Sequence, residues 1–137
     1  MKTLLWILTA VSVCACGNPD AFDVDSELSA DFDRASAVWC DGTGCCPYQD
    51  SDGRSRAVLD DEITVCVDCD GAYEHHGEAG TIHVLSGLSA DEQYSVILHE
   101  IGHHCGCWDS EDERNVMAHA TGARGLSPTE SDVACAR

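Results

Sequence analysis

The 137 residues carry seven basic side chains against 25 acidic ones, a formal charge of −18 at neutral pH. A field of that sign excludes nucleic acid and anionic lipid as binding surfaces and suits basic partners or salty surroundings. The length allows one domain around one core. No repeat or composition shift marks a second domain.

The N-terminus reads as an export signal. Lys2 is its charged start, Leu4 to Val13 its apolar core, and Val13-Cys14-Ala15 its small-residue cleavage site. The apolar run is too short to span a bilayer as a stable helix. Val13-Cys14-Ala15-Cys16 also has the form of a bacterial lipobox, with cleavage before Cys16 and lipid on its sulfur. Residues 1–15 are therefore a signal peptide of the lipoprotein type. Past Lys2 the only cations are six arginines, so the exported part is close to −19.

Residues 16–25 read as an acidic tether, polar and with one proline, and residues 26–137 as the folded domain. From Ser29 onward, Leu28, Phe32, Ala35 and Trp39 fall on one helical stripe, with Asp31 and Asp33 in the first turn where acids suit the helix dipole. Asp41 to Gly53 reads as a stapled loop. Ala57-Val58-Leu59 and Ile63-Thr64-Val65-Cys66-Val67 are β-rich runs, Asp70 to Gly80 a second loop, and Thr81 to Leu85 a further strand. Ser89-Ala90-Asp91-Glu92 is a capping box that opens a helix from about Ala90 to Cys105, with Ile97 and Ile101 as its apolar seam. Ser127-Pro128-Thr129-Glu130 is a second box, with proline at the favoured first position, opening a short C-terminal helix.

Setting aside Cys14 and Cys16 leaves eight cysteines: Cys40, Cys45, Cys46, Cys66, Cys69, Cys105, Cys107 and Cys135. An even count in a small exported domain reads as four disulfides whose connectivity the sequence leaves open. A cysteine zinc site on Cys66-x-x-Cys69 and Cys105-x-Cys107 is the competing reading, disfavoured in an oxidising compartment.

The second helix carries the chemistry. His99-Glu100-Ile101-Gly102-His103 is H-E-x-x-H. Residues four apart share a helix face, so His99 and His103 can present imidazoles to one ion, with Glu100 placed as a general base. Gly106 can adopt a left-handed backbone and turn the chain back, which brings Asp109 to the ion as third ligand and leaves a fourth position open, as a catalytic zinc needs. Asp109 is followed by Asn115-Val116-Met117-Ala118.

This combination resembles the metzincin metallopeptidases and their matrixin branch. The family pattern is H-E-x-x-H-x-x-G-x-x-H/D followed by a methionine turn, supplied here by Met117. The usual third ligand in matrixins is histidine, and Asp109 is a departure found in some small bacterial metzincins. The resemblance covers the C-terminal third strongly and the rest in outline. It implies a mixed α/β (α+β) zincin fold: a small twisted sheet, an active-site helix and a C-terminal helix. It implies one catalytic Zn²⁺ held by His99, His103 and Asp109, with Glu100 as base and Met117 packed beneath as a floor. His119, two residues on, stands where some relatives place a tyrosine near the metal and is a candidate oxyanion group or extra ligand. His104 points away from the ligand face. His75, His76 and His83 evoke the second, structural zinc of matrixins without reproducing its spacing. Asp70, Glu74 and Glu78 are candidate Ca²⁺ ligands without a regular loop motif. Cys16-Gly17-Asn18-Pro19-Asp20 is similar to the segment that plugs the zinc of latent matrixins, a role incompatible with lipid on Cys16. The lipid is preferred because no propeptide domain surrounds the segment.

The expected function is a zinc-dependent endopeptidase acting on exported or extracellular protein, monomeric and lipid-anchored at an outer membrane or cell surface. The rival is a non-catalytic, disulfide-rich metal-binding surface lipoprotein, which would have no need of a base at Glu100.

Overall fold

The computed structural model describes residues 18–118 and 129–136. The expected signal peptide, Cys16, His119 and the Ser127-Pro128 pair lie outside the described residues. The fold is mixed α/β, with a five-stranded, mostly parallel sheet and three α-helices. The strands are β1 Ala21–Val24, β2 Tyr48–Gln49, β3 Ser55–Asp60, β4 Gly71–His76 and β5 Ala79–Leu85. They lie in the order β2-β1-β3-β5-β4, and only β4 runs antiparallel to its neighbour. The helices are α1 Ser29–Thr43, α2 Ala90–His104 and α3 Glu130–Cys135. Among the described residues no helix is long and apolar enough to cross a membrane.

The sheet alternates cleanly. Phe22, Ala57, Ile82 and Val84 are buried towards the helices. On the other face Arg56 pairs with Asp23, and His83 with Asp60. One helical layer on one sheet face therefore suffices for the core, as period-two patterning allows. Phe32, Ala35 and Trp39 are the buried stripe of α1, as their spacing predicts. The Trp39 indole N–H donates to the Leu98 carbonyl of α2 at 2.7 Å and so pins the two helices together.

Five parts of the chain differ from the sequence reading. The tether is structured: Ala21–Val24 is a strand held on both sides by β2 and β3, and Phe22 packs against the rings of Phe32 and His104. Four residues are too few to show alternation, so the signal is lost in polar flanks. Ile63–Val67 is irregular, because no strand lies beside it and Asp68, at φ 57°, turns the chain within the Cys66–Cys69 clip. The strand comes next instead, at Gly71–His76, where the β5 ladder overrides the weak β-propensity of Gly, Ala, Glu and His. A short β2 also lies inside the expected Asp41–Gly53 loop. The C-terminal helix starts later than expected: Thr129 is its cap and Asp132 the reciprocal partner.

All eight described cysteines are paired, as Cys40–Cys46, Cys45–Cys105, Cys66–Cys69 and Cys107–Cys135. This is the expected four-disulfide framework. Cys105 and Cys107 go to different partners, which removes the cysteine zinc site.

Trp39 fills the junction of α1 and α2, so Trp39→Ala should lower the unfolding free energy by about 3–5 kcal/mol in guanidinium titrations of the oxidised protein. Trp39→Phe, which loses mainly the hydrogen bond, should cost about 1–2 kcal/mol.

Candidate metal centre

The capping box at the start of α2 forms as read: the Glu92 amide donates to Ser89 Oγ and the Ser89 amide to Glu92 Oε2. The Ser89 hydroxyl, which donates to Glu92 Oε2 at 2.7 Å, and then the Ser89 amide hold the Glu92 carboxyl below its ordinary range. The helix buries Val96, Ile97, Leu98 and Ile101 and, with them, His99 and Glu100. It ends at His104, and Gly106 follows at φ 96°, the left-handed turn the sequence requires.

Each imidazole is fixed from behind. His99 Nδ1 donates to the Val116 carbonyl at 3.0 Å and His103 Nδ1 to the Cys107 carbonyl at 2.9 Å. A carbonyl only accepts, so both Nδ1 atoms carry hydrogen, and each ring in its neutral form turns an unprotonated Nε2 forward. Those two nitrogens are 3.1 Å apart. Asp109 Oδ1 lies 3.1 Å from the first and 3.2 Å from the second. With both rings neutral, three lone pairs face one another at close range, an arrangement that a cation among them would relieve. The fit to zinc is close: bonds of 2.0–2.1 Å in a tetrahedron give ligand separations of about 3.3 Å.

His99, Glu100 and His103 also form the group of described residues whose ligand atoms gather within 4.8 Å of one another. Asp109 is nearer to both imidazoles than that limit, and it approaches from solvent, whereas Glu100 is buried in the helix beside His99. The tighter triangle is therefore His99, His103 and Asp109, with Glu100 alongside.

Met117 is buried against Gly102 of α2, its amide bonded to the Asn115 side chain at 2.8 Å. A Cβ on Gly102 would overlap Met117 Sδ and crowd the Trp39 ring, so only glycine lets the methionine loop pack on this turn of α2. The loop is closed by a Ser110 amide bond to the Met117 carbonyl at 2.6 Å and by Asn115 reaching Ser131 of α3 at 2.8 Å. Arg114 within it holds the Asp112 carboxyl down at about 2.

Above the ligands lies a cleft of about 740 Å³, walled by β4, by the Cys66–Cys69 clip and by Trp108. One wall residue that no motif singles out is Tyr73. It hydrogen bonds His104 Nδ1 at 2.8 Å, and His104 Nε2 bonds Asp20 at 2.9 Å. Burial pushes His104 below the ordinary imidazole range even against Asp20, so the ring is neutral. Its Nε2–H then donates to Asp20 and its Nδ1 accepts from the Tyr73 hydroxyl. His104 is turned away from the ligand group, as expected, and instead ties the first described residues to the cleft wall.

Among the described residues His75, His76 and His83 do not assemble a second site. His83 faces Asp60 at 2.6 Å with one ring nitrogen and Glu74 at 3.3 Å with the other, while His75 packs edge-on against Tyr73 on the opposite face of β4. Nor do Asp70, Glu74 and Glu78 gather as cation ligands among the described residues.

No protein-family model matches this chain, and a comparison with curated proteins finds no relative.

Asp109→Ala should weaken divalent-metal binding by more than tenfold, read by competition with a chromophoric chelator, and Asp109→His should restore it. An unchanged affinity in the alanine variant would move the third ligand elsewhere. Burial and Asp20 raise the Tyr73 phenol to about 12. Its phenolate absorbance should therefore appear only near that pH, and Tyr73→Phe should remove that step from the spectrophotometric titration. Because the unfolded phenol ionises near 10, stability should fall as pH rises through the interval between the two values, and Tyr73→Phe should flatten that slope.

Proposed function

We propose that the protein is a zinc-dependent endopeptidase of metzincin-like, matrixin-type build that acts outside the cytoplasm. The observation that carries this reading is the convergence of His99 Nε2, His103 Nε2 and Asp109 Oδ1 at 3.1–3.2 Å beside buried Glu100, at the floor of an open cleft. Four disulfides support an oxidising compartment, and the leader that ends before Cys16 extends the proposal to a lipid-anchored exported enzyme.

His99, His103 and Asp109 would hold a zinc ion, which would supply Lewis acidity at the scissile carbonyl and at the attacking water. Glu100 takes a proton from that water as its oxygen bonds to the carbonyl carbon, and passes the proton to the leaving nitrogen as the C–N bond breaks. Its position beside His99, in a buried helix turn, holds the carboxylate without freedom to swing away. β4 is the edge strand of the sheet and lines the cleft, so an extended peptide can lie along its outer backbone groups. The anionic Asp109 would leave a bound ion less positive than three histidines would, moderating the polarisation of the carbonyl.

The rival reading is a non-catalytic metal-binding module. A carboxylate at Glu100, beside the ligands and under a cleft, has no use in it.

Glu100→Ala should retain one zinc per chain by elemental analysis and lose casein cleavage by a factor of about 10²–10⁴. Chelation should abolish cleavage by the parent protein, and zinc should restore it. Full activity in Glu100→Ala would end the mechanism, and zinc binding without cleavage by the parent would favour the binding module.

A further inference from the structure

The cleft has a chemical character that the metal chemistry does not use. Four large hydrophobic side chains are exposed among the described residues: Tyr48, Val65, Val67 and Trp108. Two of them, Val65 at 49 % and Trp108 at 84 % exposure, line the cleft, and Val67 at 86 % stands in the same Cys66–Cys69 clip. An indole that exposed gives up nearly all its burial energy. The Trp108 ring has no hydrogen-bond or ring partner among the described residues. It is also rigidly placed, between Cys107, which is bonded to Cys135, and Asp109, which faces the two imidazoles.

The cleft's charge is one-sided. Asp68, Asp70 and Glu74 line it in addition to Asp109 and Glu100, and among the described residues no lysine or arginine does. Glu74 is engaged by His83 and His76 behind the strand. Asp68 and Asp70 have no side-chain partner among the described residues. Asp109 and Glu100 belong to the metal site, so these two carboxylates are the uncompensated charge. An aromatic face with free carboxylates in one cavity is the pairing that recognises a guanidinium or ammonium: the ring quadrupole attracts the cation and the carboxylates accept its N–H groups. The overall charge of −18 raises the local concentration of such ligands.

We infer that the cleft selects cationic peptides, with an arginine or lysine side chain held by the Trp108 indole and the carboxylates of Asp68 and Asp70. Binding itself does not depend on the peptidase reading; only cleavage of the bound peptide rests on it, and the test keeps the two apart. Three peptides of one length, differing only in Arg, Gln or Glu at a central position, are titrated by calorimetry into zinc-loaded full-length Glu100→Gln protein. The parent protein is assayed for cleavage of the same three. The Arg peptide should bind at least tenfold tighter than the Gln peptide and the Glu peptide weakest, with the Arg advantage shrinking as salt is raised. Trp108→Ala should weaken the Arg peptide about fivefold or more. The pair Asp68→Asn with Asp70→Asn should remove most of its advantage over Gln, while Asp41→Asn, an exposed charge on α1 outside the cleft, should leave it intact. Equal binding of all three peptides, absence of binding, or an equal loss in Asp41→Asn would overturn the inference. Cleavage of all three at equal rates would overturn it too, yet leave the peptidase standing. Selective binding with no cleavage by the parent would keep the inference and overturn the peptidase.

Discussion

The bond from His99 Nδ1 to the Val116 carbonyl is the constraint on which the site depends. It joins α2 to a loop with no regular structure, and it decides which nitrogen of the first ligand is left unprotonated. The Cys107 carbonyl does the same for His103. Both acceptors are backbone atoms, so no side-chain replacement can remove them directly. Packing, however, can move them. Val116 and Met117 are buried, and Asn115 bonds forward to Met117 and across to Ser131. A floor of ordinary hydrophobic contacts thus sets the tautomer of a candidate metal ligand.

The rest of the molecule places that floor. Trp39 fixes the distance between α1 and α2 through the Leu98 carbonyl, one residue before His99. The sheet supplies the other wall: β4, its one antiparallel strand, lies at an edge and lines the cleft. Parallel sheets usually need cover on both faces. This one manages with a single helical layer because its strands are short and their outward residues include Asp23, Arg56, Asp60, Glu74 and His83, which partner one another.

Much of the helical part is legible in the sequence, because its signals are local. The stripe from Leu28 to Trp39, the Ser89–Glu92 box and the glycine after the helix each act within a few residues. The three-residue steps from His103 to Gly106 and on to Asp109, around one turn, are readable for the same reason. The strands are less legible. β1 and β4 owe their conformation to ladders with neighbouring strands, whereas Ile63–Val67 has the right composition and no partner. The Tyr73–His104–Asp20 chain joins positions 84 residues apart, and no spacing rule reaches that far. Trp108 carries no signal of its role, because a tryptophan in sequence reads as core until its exposure is known.

Cys105 and Cys107 flank the turning glycine and are bonded in opposite directions, one to Cys45 beyond α1 and the other to Cys135 in α3. They close stretches of 60 and 28 residues, each removing about 4 kcal/mol of chain entropy from the unfolded state. The segment between the helix and Asp109 is therefore moored at both sides before the carboxylate reaches the imidazoles. In a reducing compartment neither mooring exists, and the carboxylate hangs from a loose turn. Oxidation is thus a step in building the site as well as in stabilising the fold.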